Sequence, residues 1–238
     1  NLGVTPLLGL LIGACASCLL GVVIGFPSLR LKGDYLALAT FGFGVIVYSV
    51  AKNWVGLTRG PMGLPGIPQP TLFFIHFDSL ISYLLLVTFF VLVTIFVIRR
   101  IVNSPFGRVL QGIREDEIAC KSLGKNTDRY KIWVFVIGAG FAGIAGSLYA
   151  HYITFIDPSS FTVMESILII LMVVFGGLGS ITGSLLGASI MVILPELLRF
   201  LGMPSSIAAP MRQMIYGALL VILMLKRPQG LVGKYRFK

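Results

Sequence analysis

The charged residues of this chain are concentrated in one polar segment, Arg99–Lys131, which lies between two long apolar runs. It contains eight of the nineteen Lys and Arg residues and four of the nine Asp and Glu residues. The sequence offers no Ser-His-Asp set, no HExxH sequence and no cluster of Cys and His that could bind a metal ion. We therefore expect no catalytic residue and no metal site, and we interpret the polar segment as a surface for ionic and hydrogen-bonded contact.

The polar segment has the sequence features of an amphipathic helix: a favourable N-cap, a stripe of apolar residues and a terminating glycine. Ser104 is a favourable N-cap, Pro105 suits the first helical position, and Gly124 suits the position just after a helix end. Glu117 and Lys121 are four residues apart and predict an ion pair along one face. The spacing therefore predicts one helix of about five turns. Its apolar stripe would consist of Phe106, Val109, Leu110 and Ile113.

The opposite face of this predicted helix is charged, and its charges bear on what it touches. Arg108 and Arg114 lie there, followed by the acidic run Glu115–Glu117. An amphipathic helix can lie on a membrane surface, but three consecutive acids would be repelled by anionic lipid headgroups. We therefore favour a protein partner, with the membrane surface as the alternative.

The elements that must position this segment are membrane-spanning helices. The chain is 56% hydrophobic and 12% charged, whereas soluble domains are about a quarter charged. Apolar runs that could cross all or most of a bilayer cover 7–27, 35–51, 80–98, 132–151, 164–178, 181–198 and 209–226. We predict an all-α polytopic transmembrane bundle with about seven membrane segments. It would be a single domain over 1–238, with 99–131 as a cytoplasmic loop.

The distribution of basic residues predicts the orientation. With seven crossings, fifteen Lys and Arg residues fall on one side of the membrane and four on the other. Because basic residues are enriched on the cytoplasmic side, the polar segment and the C-terminus are predicted to be cytoplasmic. The net charge of +10 then reflects membrane topology, so we expect membrane lipid and no nucleic acid as a partner. An external start without a signal peptide predicts that upstream helices are missing.

Three glycine-rich segments lie between or within the apolar runs. The external loop 52–79 contains GLTRGPMGLPGIPQP, which predicts an ordered connector or a surface for a partner. Small residues over 138–146 predict close packing between spans. The block 175–183 is either a turn between two spans or a break in a helix beside a substrate path. No Gly-Lys-Ser/Thr sequence ends this block, so any ATP would be hydrolysed by another chain.

Several stretches resemble a known family, the LivM-type inner-membrane permeases of branched-chain amino acid ABC importers. The similarity runs over nearly the whole chain and is most specific in the polar segment and in MVVFGGLGS. The matching stretches are LRLKGDYLALATFGFG (29–44), LTRGPMGLPGIP (57–68), SPFGRVLQGIREDEIACKSLG (104–124), FAGIAGSLYA (141–150), ESILIILMVVFGGLGSITGSLLGA (165–188) and YGALLVILMLKRPQGLVG (216–233).

The resemblance implies an all-helical permease in a bacterial inner membrane, paired with a second related permease, two cytoplasmic ABC ATPase subunits and a periplasmic amino-acid-binding protein. The permease would need no cofactor, because the ATPase subunits hydrolyse ATP. Its polar segment matches the family's coupling loop, which docks into a groove on the ATPase. Residues that the resemblance makes candidates for this coupling are Arg108, Arg114, Glu115, Asp116, Glu117 and Gly124. Candidates for lining the substrate path are Gly176, Gly177 and Gly179.

The polar segment departs from the broader importer pattern at one position. That pattern has Glu-Ala-Ala, three residues and then glycine. Here Ala119, Cys120 and Gly124 hold the later places, but Ile118 stands at the glutamate position and Glu117 lies one residue earlier. Which of the neighbouring acids contacts the ATPase therefore stays open. A permease for urea or short amides shares much of the pattern and is the alternative function.

Overall fold

The chain folds into helices that divide between two compact units. The structure, a computed structural model, describes residues 6–29, 31, 33–68, 70–72, 75–76, 79–200, 205–226 and 229–232. The first unit is Asn1–Ser160 and the second is Phe161–Lys238. Extended structure in the described residues is limited to four strands of two residues each, which confirms the predicted all-α class. A single domain over 1–238 stays a prediction.

The first unit contains seven α-helices among its described residues. They are α1 (Pro6–Ser28), α2 (Asp34–Asn53), α3 (Val55–Thr58), α4 (Leu80–Val102), α5 (Pro105–Glu115), α6 (Glu117–Ser122) and α7 (Thr127–Ile153). Its loops hold the strands β1 (Leu64–Pro65), β2 (Thr71–Leu72), β3 (Ile75–His76) and β4 (Phe155–Ile156). β1 pairs with β4 and β2 with β3, both antiparallel. The second unit contains α8 (Val163–Gly176), α9 (Ile181–Phe200) and α10 (Ser205–Lys226).

Each of the seven apolar runs predicted from the sequence falls on one helix, namely α1, α2, α4, α7, α8, α9 or α10. Within the described residues, α1, α2, α4 and α7 are long and apolar enough to cross a membrane. α8 has 14 residues, so it is about 21 Å long and shorter than the roughly 30 Å hydrocarbon core of a bilayer. The polytopic helical bundle is confirmed, although in the described residues fewer than seven helices meet the length and composition of a full span.

Glycines let α1 and α7 pack at close range, as the small residues over 138–146 predict. A Cβ atom on Gly143 would lie 2.5 Å from Ser17 Oγ and 2.7 Å from the carbonyl oxygen of Gly13. A Cβ atom on Gly21 would lie 2.9 Å from the Cβ of Ala139. Because side chains do not tolerate such distances, this contact between backbones depends on glycine.

We expect Gly143→Ala to destabilise the first unit by about 1–3 kcal/mol, because overpacking forces the two helices apart. Gly146→Ala, about one turn further along α7, is the matched control, since no atom lies within 4 Å of the added Cβ. The measurement is the midpoint of unfolding when the detergent-solubilised protein is titrated with SDS. Equal midpoints for the two variants would contradict the close packing of α1 on α7.

Contacts with the end of α7 order the connection between α2 and α4. Besides the pairing of β1 with β4, the N–H of Ile67 donates to the carbonyl oxygen of Thr154 at 3.1 Å. The buried His151 places Nδ1 2.8 Å from the carbonyl oxygen of Pro68. An ordered loop is therefore confirmed for this part of 52–79, while a partner-binding role stays a prediction.

These contacts agree with the predicted alternation of loops across the membrane. The α2–α4 connection and the segment after α7 must lie on the same side to pair. α1 runs antiparallel to α7, because Gly9 lies near His151 and Gly25 near Phe135. Six of the basic residues that predict which side is cytoplasmic lie outside the described residues: Arg30, Lys32, Arg227, Lys234, Arg236 and Lys238.

In the second unit, α8 and α9 form a hairpin around glycine contacts. The backbone of Gly176 packs directly on that of Gly183, and Gly187 packs on the carbonyl oxygen of Met172, so the two helices run antiparallel. Residues 177–180 connect them. Of the two alternatives that the sequence leaves open for 175–183, the structure has the turn between two helices.

The segment that follows α10 packs on the end of α8. The N–H groups of Leu231 and Val232 donate to the carbonyl oxygens of Phe175 and Gly176, each at 3.0 Å. These bonds satisfy carbonyl groups that the end of a helix leaves without partners. The C-terminal segment and the α8–α9 turn therefore lie at the same end of the second unit.

Candidate functional site

The polar segment folds as the end of α4, two short helices α5 and α6, and the start of α7. The prediction of one helix of five turns is wrong, because Asp116 breaks it with extended backbone angles (φ −151°, ψ 104°). Asp116 Oδ1 accepts hydrogen bonds from the N–H groups of Ile118 and Ala119 at 2.8 and 3.0 Å. Aspartate is more favourable as such a cap than inside a helix, which explains the break.

The start of α5 is as predicted. Ser104 Oγ accepts a hydrogen bond from the N–H of Gly107 at 3.3 Å, and Pro105 occupies the first helical turn. Gly107 is buried, and a side chain there would overlap the carbonyl oxygens of Ile101 and Val102 at the end of α4. The turn between α4 and α5 is therefore held by direct packing of backbone on backbone.

The end of α6 is also as predicted. Gly124 has a φ of 76°, and its N–H donates to the carbonyl oxygen of Lys121 at 2.9 Å. The N–H of Lys125 donates to the carbonyl oxygen of Cys120 at 3.1 Å. This pair of bonds is a Schellman motif, in which the positive φ favours glycine. Gly124 thus directs the chain out of α6 and towards α7.

Glu117 holds α6 against α7. Its carboxylate contacts Lys131 Nζ at 2.7 Å, Lys121 Nζ at 3.0 Å and Thr127 Oγ1 at 3.0 Å. The Lys121 contact is the predicted pair within α6, whereas the other two link α6 to the first turns of α7. Thr127 is buried, and the Glu117 side chain is 24% exposed. We call these four residues the Glu117 clamp.

The clamp lowers the pKa of Glu117 from its usual 4.5 to about 2, chiefly through the hydrogen bond from Lys131 and next through that from Lys121. A lowered carboxyl pKa stabilises the folded state above the unfolded pKa, and this stabilisation is lost as pH falls through the folded pKa. We therefore expect the clamp to be intact at neutral pH and to open only as pH falls from 4.5 towards about 2.

The pH dependence can be measured by 13C NMR of the labelled Glu117 carboxyl group. Lys131→Met should raise the titration midpoint, because it removes the largest cause of the lowered pKa. A midpoint at the usual glutamate value in the unsubstituted protein would show that the clamp does not form.

The exposed face of the polar segment combines charged and apolar groups. Arg108 is exposed on α5, and Arg114 forms an ion pair with Glu115 at 3.0 Å, with side chains 48% and 63% exposed. Two large apolar side chains, Ile118 and Leu123, are 76% and 79% exposed. An exposed apolar pair rimmed by charges is typical of a protein–protein contact.

Comparison with known proteins places the chain in a family. A family model described as the permease component of the branched-chain amino acid transport system matches residues 1–224. The chain belongs to this permease family. It is similar to the high-affinity branched-chain amino acid transport system permease proteins LivM of Salmonella typhimurium and Escherichia coli K12, with 39% and 38% identity over 97% of the chain. No solved structure matches it significantly.

The chain spans 57% of the length of each of these two LivM proteins. It is also similar to a second permease of the same system, LivH of Escherichia coli K12, with 31% identity over 55% of the chain and 41% of LivH. The relatives are transport permease components. The permease described above is accordingly a multi-pass membrane protein of a transport family.

The contacts that order the polar segment of this permease could not be read from its sequence. Glu117 is separated from Thr127 by ten residues and from Lys131 by fourteen, and no helical periodicity links them across the intervening turn. The exposed apolar pair could be recognised more easily from the sequence. Ile118 and Leu123 lie beyond the predicted apolar stripe, so the stripe does not account for either of them.

The glycines predicted to line a substrate path lie in the second unit. Gly176 is at the contact between α8 and α9, and the backbone of Gly177 packs on Gly230. Gly179 is in the α8–α9 turn with a φ of 75°. Close backbone contact accounts for glycine at the first two positions, and a role of the three residues in a path stays a prediction.

Proposed function

We propose that the chain forms membrane-spanning and coupling parts of a permease subunit in an ATP-driven importer of branched-chain amino acids. It pairs with a second related permease and with two cytoplasmic ATPase subunits, and a periplasmic binding protein delivers the substrate. The complex lies in the bacterial inner membrane, with the polar segment and the C-terminus in the cytoplasm. The family match and the similarity to LivM and LivH support this assembly.

The observation that carries the coupling role is the Glu117 clamp next to an exposed apolar pair. A segment that transmits movement to a membrane-spanning helix must be attached firmly enough that the helix moves together with it. The clamp ties α6 to α7 through Thr127 and Lys131, while Ile118 and Leu123 are exposed at the two ends of α6. A partner that grips these two side chains therefore displaces α7 as well as α6.

We assign different tasks to the predicted coupling residues. The apolar pair supplies most of the binding energy for the ATPase, and Arg108, Arg114 and Glu115 form its charged rim, which steers association. Asp116 and Glu117 act within the permease as a cap and a clamp, and Gly124 ends α6. Among the three neighbouring acids, Glu115 is thus the one that contacts the ATPase.

Coupling requires no chemistry in the permease, only two arrangements of its helices. Closure of the ATPase subunits on ATP moves α5 and α6 as a body, and their junctions with α4 and α7 pass the displacement to two spans. The work comes from contacts that differ between the two arrangements. In the second unit, the path-lining role proposed for Gly176, Gly177 and Gly179 places the substrate beside the α8–α9 turn.

The test is transport by the complete importer reconstituted in liposomes. We expect leucine to accumulate against its gradient with ATP and not with a non-hydrolysable analogue. Parallel assays with urea and acetamide examine the alternative substrate class. Accumulation of urea without leucine would replace the proposed substrate, and equal leucine flux with and without ATP would identify a passive channel and contradict the proposal.

A further inference from the structure

A groove at one end of the first unit has no role in the proposed function. Its volume is about 560 Å³, and it lies between the end of α4, the start of α5 and the first turns of α7. Ile101, Ser104 and Phe106 form one wall. Phe106 stacks on Tyr130 of the facing wall, with ring centroids 5.2 Å apart. The groove thus lies at the junction between the polar segment and the spans.

The facing wall is the part of α7 that leads from water into the membrane. Arg129 and Tyr130 are in the first turn, Trp133 is about one turn deeper and Ile137 about two turns deeper. Trp133 is 60% exposed. Tyr and Trp side chains at a helix end are typical of the boundary between membrane and water. The groove therefore crosses this boundary, with Arg129 at its aqueous end and Ile137 at its apolar end.

The aqueous end of the groove has one basic side chain, that of Arg129, and it takes part in no ion pair among the described residues. Within the part of the chain that the structure describes, five basic residues of the polar segment take part in no ion pair: Arg99, Arg100, Arg108, Lys125 and Arg129. Arg99 and Arg100 are in the last turn of α4, and Arg129 lines the groove itself. Asp128 and the acidic run Glu115–Glu117 do not line it. The groove thus complements a negatively charged ligand.

We propose that this groove is a binding site for an anionic phospholipid of the cytoplasmic leaflet. The lipid phosphate pairs with Arg129, and an acyl chain lies along Trp133 and Ile137. Basic pockets between spans on the cytoplasmic side favour anionic headgroups for this electrostatic reason. A zwitterionic lipid such as phosphatidylcholine would fill the apolar part equally well, but its positive choline group offsets the charge of its phosphate and weakens the attraction to the uncompensated arginine. Occupancy by such a lipid would brace the α4–α5–α7 junction.

Trp133 provides a direct test of the lipid site. The chain has one other tryptophan, Trp54, which follows the C-terminal end of α2 and so lies on the opposite side of the membrane in the predicted topology. Trp133 is kept as the only tryptophan of the full-length permease, which is placed in vesicles with phosphatidylglycerol or phosphatidylcholine brominated on the acyl chains. When each brominated lipid is present at low mole fraction, we expect phosphatidylglycerol to bind about fivefold better than phosphatidylcholine and to quench the fluorescence of Trp133 correspondingly more. This ratio corresponds to the roughly 1 kcal/mol that one basic residue near a membrane contributes.

Two matched variants locate the effect. Arg129→Gln should abolish the preference for phosphatidylglycerol, whereas Lys125→Gln, an equal loss of charge outside the groove, should retain it. Equal quenching by the two lipids, or an unchanged preference in Arg129→Gln, would overturn the lipid site. Quenching by neither lipid in the assembled importer would assign the groove to a partner subunit and also overturn it. The assay needs no substrate or ATP, so its outcome is independent of the transport proposal.

Discussion

Glu117→Ala should uncouple ATP hydrolysis from transport. The change removes the contacts with Lys121, Thr127 and Lys131. Hydrogen bonds to charged groups contribute about 1.5–3 kcal/mol, and exposed ion pairs about 0–1 kcal/mol. For a side chain that is 24% exposed, we expect a total loss of about 2 kcal/mol, which increases the fraction of detached α6 about 30-fold. ATP turnover should continue while leucine uptake falls several-fold.

Hydrogen exchange of the α6 amides and the ratio of leucine carried to ATP hydrolysed measure the two effects. Glu115→Ala is the matched control for the exchange measurement on the isolated permease, since it removes the same type of side chain but within the permease breaks only the exposed pair with Arg114. Its α6 amides should exchange as in the unsubstituted protein. Equal loss of protection in both variants would show that the Glu117 clamp does not hold α6.

Ile118→Ser combined with Leu123→Ser should detach the ATPase while leaving the permease folded. These side chains are 76% and 79% exposed, so their loss costs the isolated permease little. Burial of an Ile or Leu side chain in an interface contributes about 1.5–3 kcal/mol, so the double substitution should weaken ATPase binding about 100-fold or more. Titration of ATPase subunits onto the permease in nanodiscs measures the affinity directly.

A matched pair on the opposite side of the predicted topology controls for loss of exposed apolar surface. Val55 and Leu57 are 63% and 64% exposed in the α2–α4 connection. Their replacement by serine should leave ATPase affinity unchanged. If the Ile118/Leu123 variant binds the ATPase as tightly as the unsubstituted permease, the apolar pair is not the docking surface.

The features that could be predicted from the sequence depend on residues close together in the chain. Apolar runs predicted where the long helices lie, because each helix satisfies its own backbone groups. Ser104 and Gly124 predicted the two ends of the polar segment, because a cap or a positive φ involves only the neighbouring turn. The position of the candidate site along the chain could therefore be predicted from the sequence, whereas its geometry could not.

The features that could not be predicted depend on packing between distant residues. His151 and Pro68 are separated by 83 residues, and their contact joins the α2–α4 connection to the end of α7. The break at Asp116 is a competition between one longer helix and a capped second helix. Its outcome also depends on the contacts of Glu117 with α7, which no local pattern contains.

A photo-crosslinking amino acid at position 123 reports whether the polar segment meets an ATPase subunit. Leu123 is suited to this substitution because its exposed side chain contributes little to the packing of the permease. In the complete importer, illumination should join the permease to an ATPase subunit, with a yield that changes when ATP is added. The same probe at position 57 should give no such product. Products from position 123 that contain only lipid or the permease itself would contradict a coupling role for the polar segment.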